Sequence, residues 1–126
     1  MVCYKLKFGH VIIPFKMMVI NINEKIQYLT SSGLIMYNAG KKDSSDFFAV
    51  ELVNGHIHYV LNLGSGVITI KDNSTEALND NKWHTIHIGR PSQDYHNLKV
   101  DHQLATKPTH GGEVHLDLDG ILFLGM

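Results

Sequence analysis

A chain of 126 residues, 44% of them hydrophobic, has the material for one domain with a modest core. Its 11 Lys and Arg against 12 Asp and Glu leave a formal net charge of −1, with no run of one sign, which argues against a nucleic-acid surface that tracks phosphates. The one cysteine, Cys3, cannot close an internal disulfide; that suits a reducing compartment, or an extracellular domain whose other cysteines lie elsewhere.

Residues 1–30 read differently from the rest and are not assigned to the domain. Residues 11–22 are apolar but interrupted by Pro14 and Lys16, and they are too few to span a bilayer as a helix. Lys5 and Lys7 precede this run as they would in a leader, yet no small-residue cleavage site follows, so no clear signal peptide is read. One or two irregular strands, or a short helix, are expected here.

From residue 31 the text is all-β. Residues 33–37, GLIMY, form a short apolar strand that ends at Asn38-Ala39-Gly40. The next stretch, DFFAVELVNGHIHYVLNLGSG at 46–66, organises the chain. Asn54-Gly55 is a strong hairpin signal, because a two-residue type I′ turn needs positive φ at both central positions. That turn sets Leu52 opposite Ile57, Val50 opposite Tyr59 and Phe48 opposite Leu61, all on one face, so the apolar pattern and the turn demand the same register. The other face carries Ala49, Glu51 and Val53 against Val60, His58 and His56 and is wetter. At the open end the register places Asp46 against Leu63, a carboxylate beside a strand-end carbonyl, where the chain breaks into Gly64-Ser65-Gly66. This corner is the candidate functional site.

Residues 67–71 make a β-branched strand, followed by a polar loop holding the sequon Asn73-Ser74-Thr75, an acceptor for N-glycosylation. Residues 78–81 turn into a strand at 82–88, in which Trp83, Thr85 and His87 alternate with His84, Ile86 and Ile88. Residues 98–101 meet 104–106 across a tight His102-Gln103 turn. Strands at 114–118 and 121–124 are joined at Asp119-Gly120. Many short strands with closely spaced turns predict an antiparallel two-sheet β-sandwich of jelly-roll type.

Two further constellations carry chemistry on paper. His56 and His58 share a face with Glu51 opposite His58, a ligand set known for zinc, although polar residues also alternate by default on the wet face of a hairpin. Asp117 and Asp119 would share a face if both lay on one strand, as a glycoside hydrolase requires of its carboxylates, but Gly120 makes Asp119 a turn residue. No nucleophilic triad is read.

Taken together, GLIMYNAG at 33–40, residues 46–66, LNDNKWHTIHIGR at 78–90, LKVD at 98–101 and LDLDGILFLG at 116–125 resemble, in order and spacing, the laminin-G-like (LNS) domains of neurexins and laminins, and are most similar to neurexin repeats. The resemblance implies a concanavalin-like sandwich over residues 31–126 that is partial: residues 1–30 do not resemble its opening strands, and the closing strands with their family disulfide are not seen. Trp83 would then fill the space between the sheets. The resemblance further implies a calcium site on the sandwich rim, with the Asp46 carboxylate, the Leu63 carbonyl, a carbonyl at His115 and the Asp117 side chain as ligands, and Asp119 as a neighbouring candidate. Hard oxygen donors completed by water suit weakly held Ca²⁺. The function so implied is non-catalytic recognition of an extracellular protein or glycan at the cell surface, with any membrane association made through a parent protein. A carbohydrate-active jelly roll, either lectin or hydrolase, is the alternative.

Overall fold

The computed structural model describes residues 5–9, 18–23, 32–40, 45–80, 82, 84–92, 94–109 and 123–124. They form strands β1 (Lys5–Gly9), β2 (Met18–Asn23), β3 (Gly33–Ala39), β4 (Phe47–Val53), β5 (His56–Asn62), β6 (Val67–Lys71), β7 (His84–Ser92), β8 (Tyr95–Val100), β9 (Gln103–Pro108) and β10 (Phe123–Leu124). The strands make two five-stranded sheets, ordered β1-β2-β7-β8-β9 and β10-β3-β4-β5-β6. Neighbours pair antiparallel throughout. The two-sheet all-β sandwich expected from the strand pattern is the fold.

Asn54 and Gly55 have φ of 51° and 82°, the left-handed pair that a type I′ turn requires. The β4–β5 ladder follows the expected register pair for pair, from Val53↔His56 through Leu52↔Ile57, Val50↔Tyr59 and Phe48↔Leu61 to Phe47↔Asn62. Burial alternates strictly along β5, so Ile57, Tyr59 and Leu61 enter the core with Phe48, Val50 and Leu52. β6 adds Ile68 and Ile70 to the same face. The second sheet meets them with Ile86 and Ile88 from β7, Leu98 and Val100 from β8, and Ala105 from β9. Each large aliphatic chain buried here contributes about 1.5–3 kcal/mol of transfer free energy.

The ladder between β3 and β4 slips between Leu34 and Met36. A bulge places two β3 residues against one partner, and this lets the adjacent Ile35 and Met36 both be buried, where strict alternation would bury only one.

Two expectations need correction. The second hairpin turns at Asp101-His102, one residue earlier than expected, so Val100 faces Gln103 and Leu98 faces Ala105. The cause is Asp101: its φ is 53°, a conformation that Asp tolerates, and its N–H donates to the Thr85 carbonyl at 2.8 Å. In the N-terminal stretch, β1 and β2 pair in unbroken register over five residues each, and β2 docks antiparallel on β7. The segment therefore supplies two regular strands to a sheet. The expected inter-sheet role of Trp83, the strand at 114–118 and the turn at Asp119-Gly120 lie outside the described residues.

Gly55 is the turn position with the least freedom. A Cβ built on it would meet the Ala77 Cβ at 2.6 Å and the Asn79 Oδ1 at 2.8 Å, on a backbone whose φ already disfavours a side chain. Gly55→Ala should therefore cost about 3 kcal/mol, combining the left-handed penalty with overpacking. Asn54→Ala, at an exposed position, should cost only about 1 kcal/mol. Urea denaturation of the two variants measures the difference.

Candidate functional site

The sandwich has two chemically different ends. The hairpin tip defines one of them, where residues 72–80 of the β6–β7 loop fold back over the Asn54-Gly55 turn. Leu78 anchors that loop: its side chain is buried, and its N–H donates to the Gly55 carbonyl at 2.7 Å. Asn73 Nδ2 donates to the Leu104 carbonyl at 3.0 Å, tying the loop to β9 of the opposite sheet.

Asp72 begins the loop and is its main fixture. One carboxylate oxygen, Oδ2, accepts from the Ile57 N–H. The other, Oδ1, accepts from the Ser74 N–H at 2.9 Å, from the Ser74 hydroxyl, and from His56 Nδ1 at 3.2 Å. Burial of this side chain, 1% exposed, opposes its charge, but the bonds from Ser74, Ile57 and His56 together outweigh that cost and hold the carboxyl below its ordinary range. The trio of Asp, His and Ser has the composition of a catalytic triad but not the arrangement. The hydroxyl and the ring nitrogen, 3.2 Å from each other, both converge on one carboxylate oxygen, so the carboxylate is a shared acceptor and not the far end of a Ser-His-Asp relay. The group is a clasp.

His84 opens β7 and forms the second polar junction. Its Nε2 meets Asp80 Oδ1 at 2.7 Å and its Nδ1 meets Asp101 Oδ2 at 2.9 Å. Two ionised carboxylates can both accept from one imidazole only when each ring nitrogen carries a proton. Burial disfavours the charged ring, but the bonds to Asp101 and Asp80 prevail, and its pKa lies above the ordinary 6.5. Both carboxyls shift the opposite way: burial resists, and the bonds from His84 with the N–H of Lys82 or Thr85 pull them below 3.8.

The other end of the sandwich holds the corner read from the hairpin register. Asp46 and Leu63 each lie one residue past the last β4–β5 pair, Phe47↔Asn62, and both are buried, at 7% and 4% exposure. The Asp46 carbonyl accepts from the Gly40 N–H at 2.8 Å, which closes the loop between β3 and β4. Leu63 leads into a turn in which Asn62 Oδ1 accepts from the Gly64 N–H at 2.7 Å, and Gly64 and Gly66 take φ of 106° and 118°. A carboxylate and a strand-end carbonyl are hard oxygen donors, so the pair suits Ca²⁺ in kind. His115, Asp117 and Asp119 lie outside the described residues, and with them the rest of the expected ligand set.

Among the described residues, no group of three or more His, Cys, Asp or Glu side chains is arranged to hold a metal ion. Glu51 and His58 are cross-strand partners as expected, but the His56 ring engages Asp72 and Ser74. The paired roles of Asp72 with His56 and of His84 with its two carboxylates are not among the expectations from the sequence, which set His56 and His58 with Glu51 and found no partner spacing for the other histidines. The available signals were Asp72-x-Ser74, an Asp whose carboxylate accepts from the N–H two residues on, and the aspartates at both turns that flank His84.

Comparison with known proteins gives one consistent result. The laminin G domain family profile matches residues 26–126. Neurexin 1 of Drosophila melanogaster is 42% identical over 106 residues, and Neurexin-3a of Danio rerio 49% over 100; these cover 84% and 78% of this chain. The chain spans only 6% of the length of either relative. Among solved structures, domains LG4-5 of the mouse laminin alpha1 chain superpose with a TM-score of 0.74 at 26% identity, covering 94% of this chain and 30% of that one. The LG1-3 region of the laminin alpha2 chain superposes with a TM-score of 0.67 at 28% identity, covering 94% and 23%.

The Asp72 clasp sets a stability expectation. Asp72→Ala leaves the Ile57 and Ser74 N–H groups without their acceptor and should cost about 2–4 kcal/mol in a urea melt, whereas Asp72→Asn keeps one acceptor and should lose about half as much. Because its folded pKa is depressed, the carboxylate's contribution is fully present above 3.8 and is lost as pH falls through the folded value. The acid limb of wild-type stability should therefore be steeper than that of Asp72→Ala.

Proposed function

The chain belongs to the laminin G domain family, and from that premise we propose that it is a non-catalytic recognition module of a neurexin-like extracellular or cell-surface protein. It binds a partner protein or a glycan at the rim that carries Asp46 and Leu63. The observation that carries the reading is that hairpin geometry alone brings a buried carboxylate and a strand-end carbonyl to one corner, beside a turn held open by two left-handed glycines. That corner offers two of the four oxygen donors a laminin-G-like calcium site uses; the carbonyl of His115 and the side chain of Asp117 are the proposed others. Few protein ligands and open water positions make binding weak, with Kd on the order of 10⁻⁴–10⁻³ M, suited to extracellular calcium. Calcium would neutralise Asp46 and fix the rim loops in the shape that a partner reads.

Asn73 is exposed and belongs to an N-x-S/T sequon, so it is the proposed glycosylation site. It follows the end of β6 that pairs beside the hairpin tip, remote from Asp46. A glycan there leaves the calcium rim clear.

Calorimetric calcium titration tests the reading. Wild type should bind weakly, Asp46→Ala should lose measurable binding while keeping its thermal melt in chelator, and His56→Ala, at the opposite end of the hairpin, should keep the wild-type affinity. Unchanged affinity in Asp46→Ala removes the calcium site and leaves a recognition module of another mode. Turnover of an oligosaccharide would move the domain into the hydrolase class.

A further inference from the structure

The junction at His84 differs from the other fixtures of the β6–β7 loop. Leu78 is held by a backbone bond and burial, and Asn73 by an amide-to-carbonyl bond, neither of which has a proton to lose near neutral pH. Asp72 keeps its Ile57 and Ser74 donors whatever the state of His56. Among the described loop residues, only Asp80, with the Lys82 N–H bonded to it, is tied down through an imidazole held between two carboxylates. The arms are unequal. Asp101 is also bound by the Thr85 N–H at 3.0 Å and sits in a turn whose own N–H is bonded to Thr85. Asp80 sits on the loop and accepts otherwise from its near neighbour Lys82, at 3.1 Å.

We infer that the Asp80–His84–Asp101 bridge is a proton-operated latch that holds Asp80 and the Lys82 backbone bonded to it against the sandwich while His84 carries both ring protons and releases them when one departs. A neutral imidazole has one N–H and one lone pair. The proton stays on Nδ1, facing the better-fixed Asp101, and the lone pair on Nε2 then faces the Asp80 carboxylate and repels it. The proton that leaves goes to solvent, and no other group need change state. The charged groups acting on the bridge are accounted for among the described residues: Lys82 acts on Asp80 and His102 on Asp101, while β2, which pairs with β7 through Ile22↔His84, holds no ionisable residue in Met18–Asn23. Because the ring's pKa is raised, the latch is fully closed below 6.5 and opens as pH rises through the folded value. Its carboxylates keep it closed well into the acid range. Asp80 and Lys82 are exposed, so their release changes the surface of the tip while the core does not change.

Nuclear magnetic resonance on the intact chain tests this. The His84 ring should titrate above 6.5. The amide shifts of Asp80 and Lys82 should follow the same curve, with a loss of their heteronuclear NOE on the alkaline side. The amides of Leu78 and Thr85 should keep theirs. Asp80→Asn should stay closed at every pH, since its amide accepts from a protonated ring and donates to a neutral one; His84→Gln should show no transition. An unchanged NOE at Asp80 and Lys82 across the His84 titration overturns the latch. So does a parallel loss at Leu78, which would mean that the whole tip loosens, and so does an Asp80→Asn variant that opens like wild type.

Discussion

Two consecutive residues in the left-handed region, Asn54 and Gly55, constrain everything else in this sandwich. Their turn sets the β4–β5 register, and that register decides which side chains of both strands face inward. A slip of β5 by one residue would turn Ile57, Tyr59 and Leu61 away from the face that Phe48, Val50 and Leu52 occupy, and about 1.5–3 kcal/mol for each disfavours that alternative strongly. The same turn is capped from outside, since Ala77 and Asn79 press on Gly55 and Leu78 bonds to its carbonyl. At the ladder's far end it delivers Asp46 and Leu63 to neighbouring positions. One local conformation thus sets the core, the tip and the rim.

Legibility in the sequence follows the range of the interaction. The central hairpin was readable to the residue pair, because a two-residue turn and an alternating pattern are both local. The bulge at Leu34–Met36 was not, since its cause is the packing of Ile35 and Met36 against strands distant in sequence. The second turn was misplaced by one residue because Asp101 takes positive φ with help from Thr85, 16 positions away. The polar junctions were missed for the same reason: Asp72 meets Ile57 across 15 residues and His84 meets Asp101 across 17. At the rim, Asp46 and Leu63 were placed by ladder geometry, whereas His115 and Asp117 rested on family resemblance. A single sequence carries turns and alternation well; it carries loop-to-strand hydrogen bonds poorly.

The histidines illustrate how environment, not count, decides chemistry. His58 and His87 are pushed toward the neutral form, first by burial and then by the adjacent Lys71 and Lys99. His84 is equally a strand residue at a sheet surface, yet two carboxylates reverse the outcome. The sense of its junction is opposite to the familiar acid-triggered histidine, which breaks contacts when it gains a proton; here the contacts require the proton.

The turn at Gly64-Ser65-Gly66 has a consequence for how such a domain can diverge. All three residues are exposed, and nothing lies within 4 Å of where a side chain on Gly66 would begin. The tip has less slack, because Asp72 is bonded to Ile57, Leu78 is buried and bonded to Gly55, and a side chain on Gly55 would collide with Ala77 and Asn79. Added or lost residues at the tip would therefore disturb the fold, while the rim beside Asp46 can change length and chemistry with the ladder behind it intact. Mutation can rewrite one end of the sandwich as a binding surface while selection on stability polices the other.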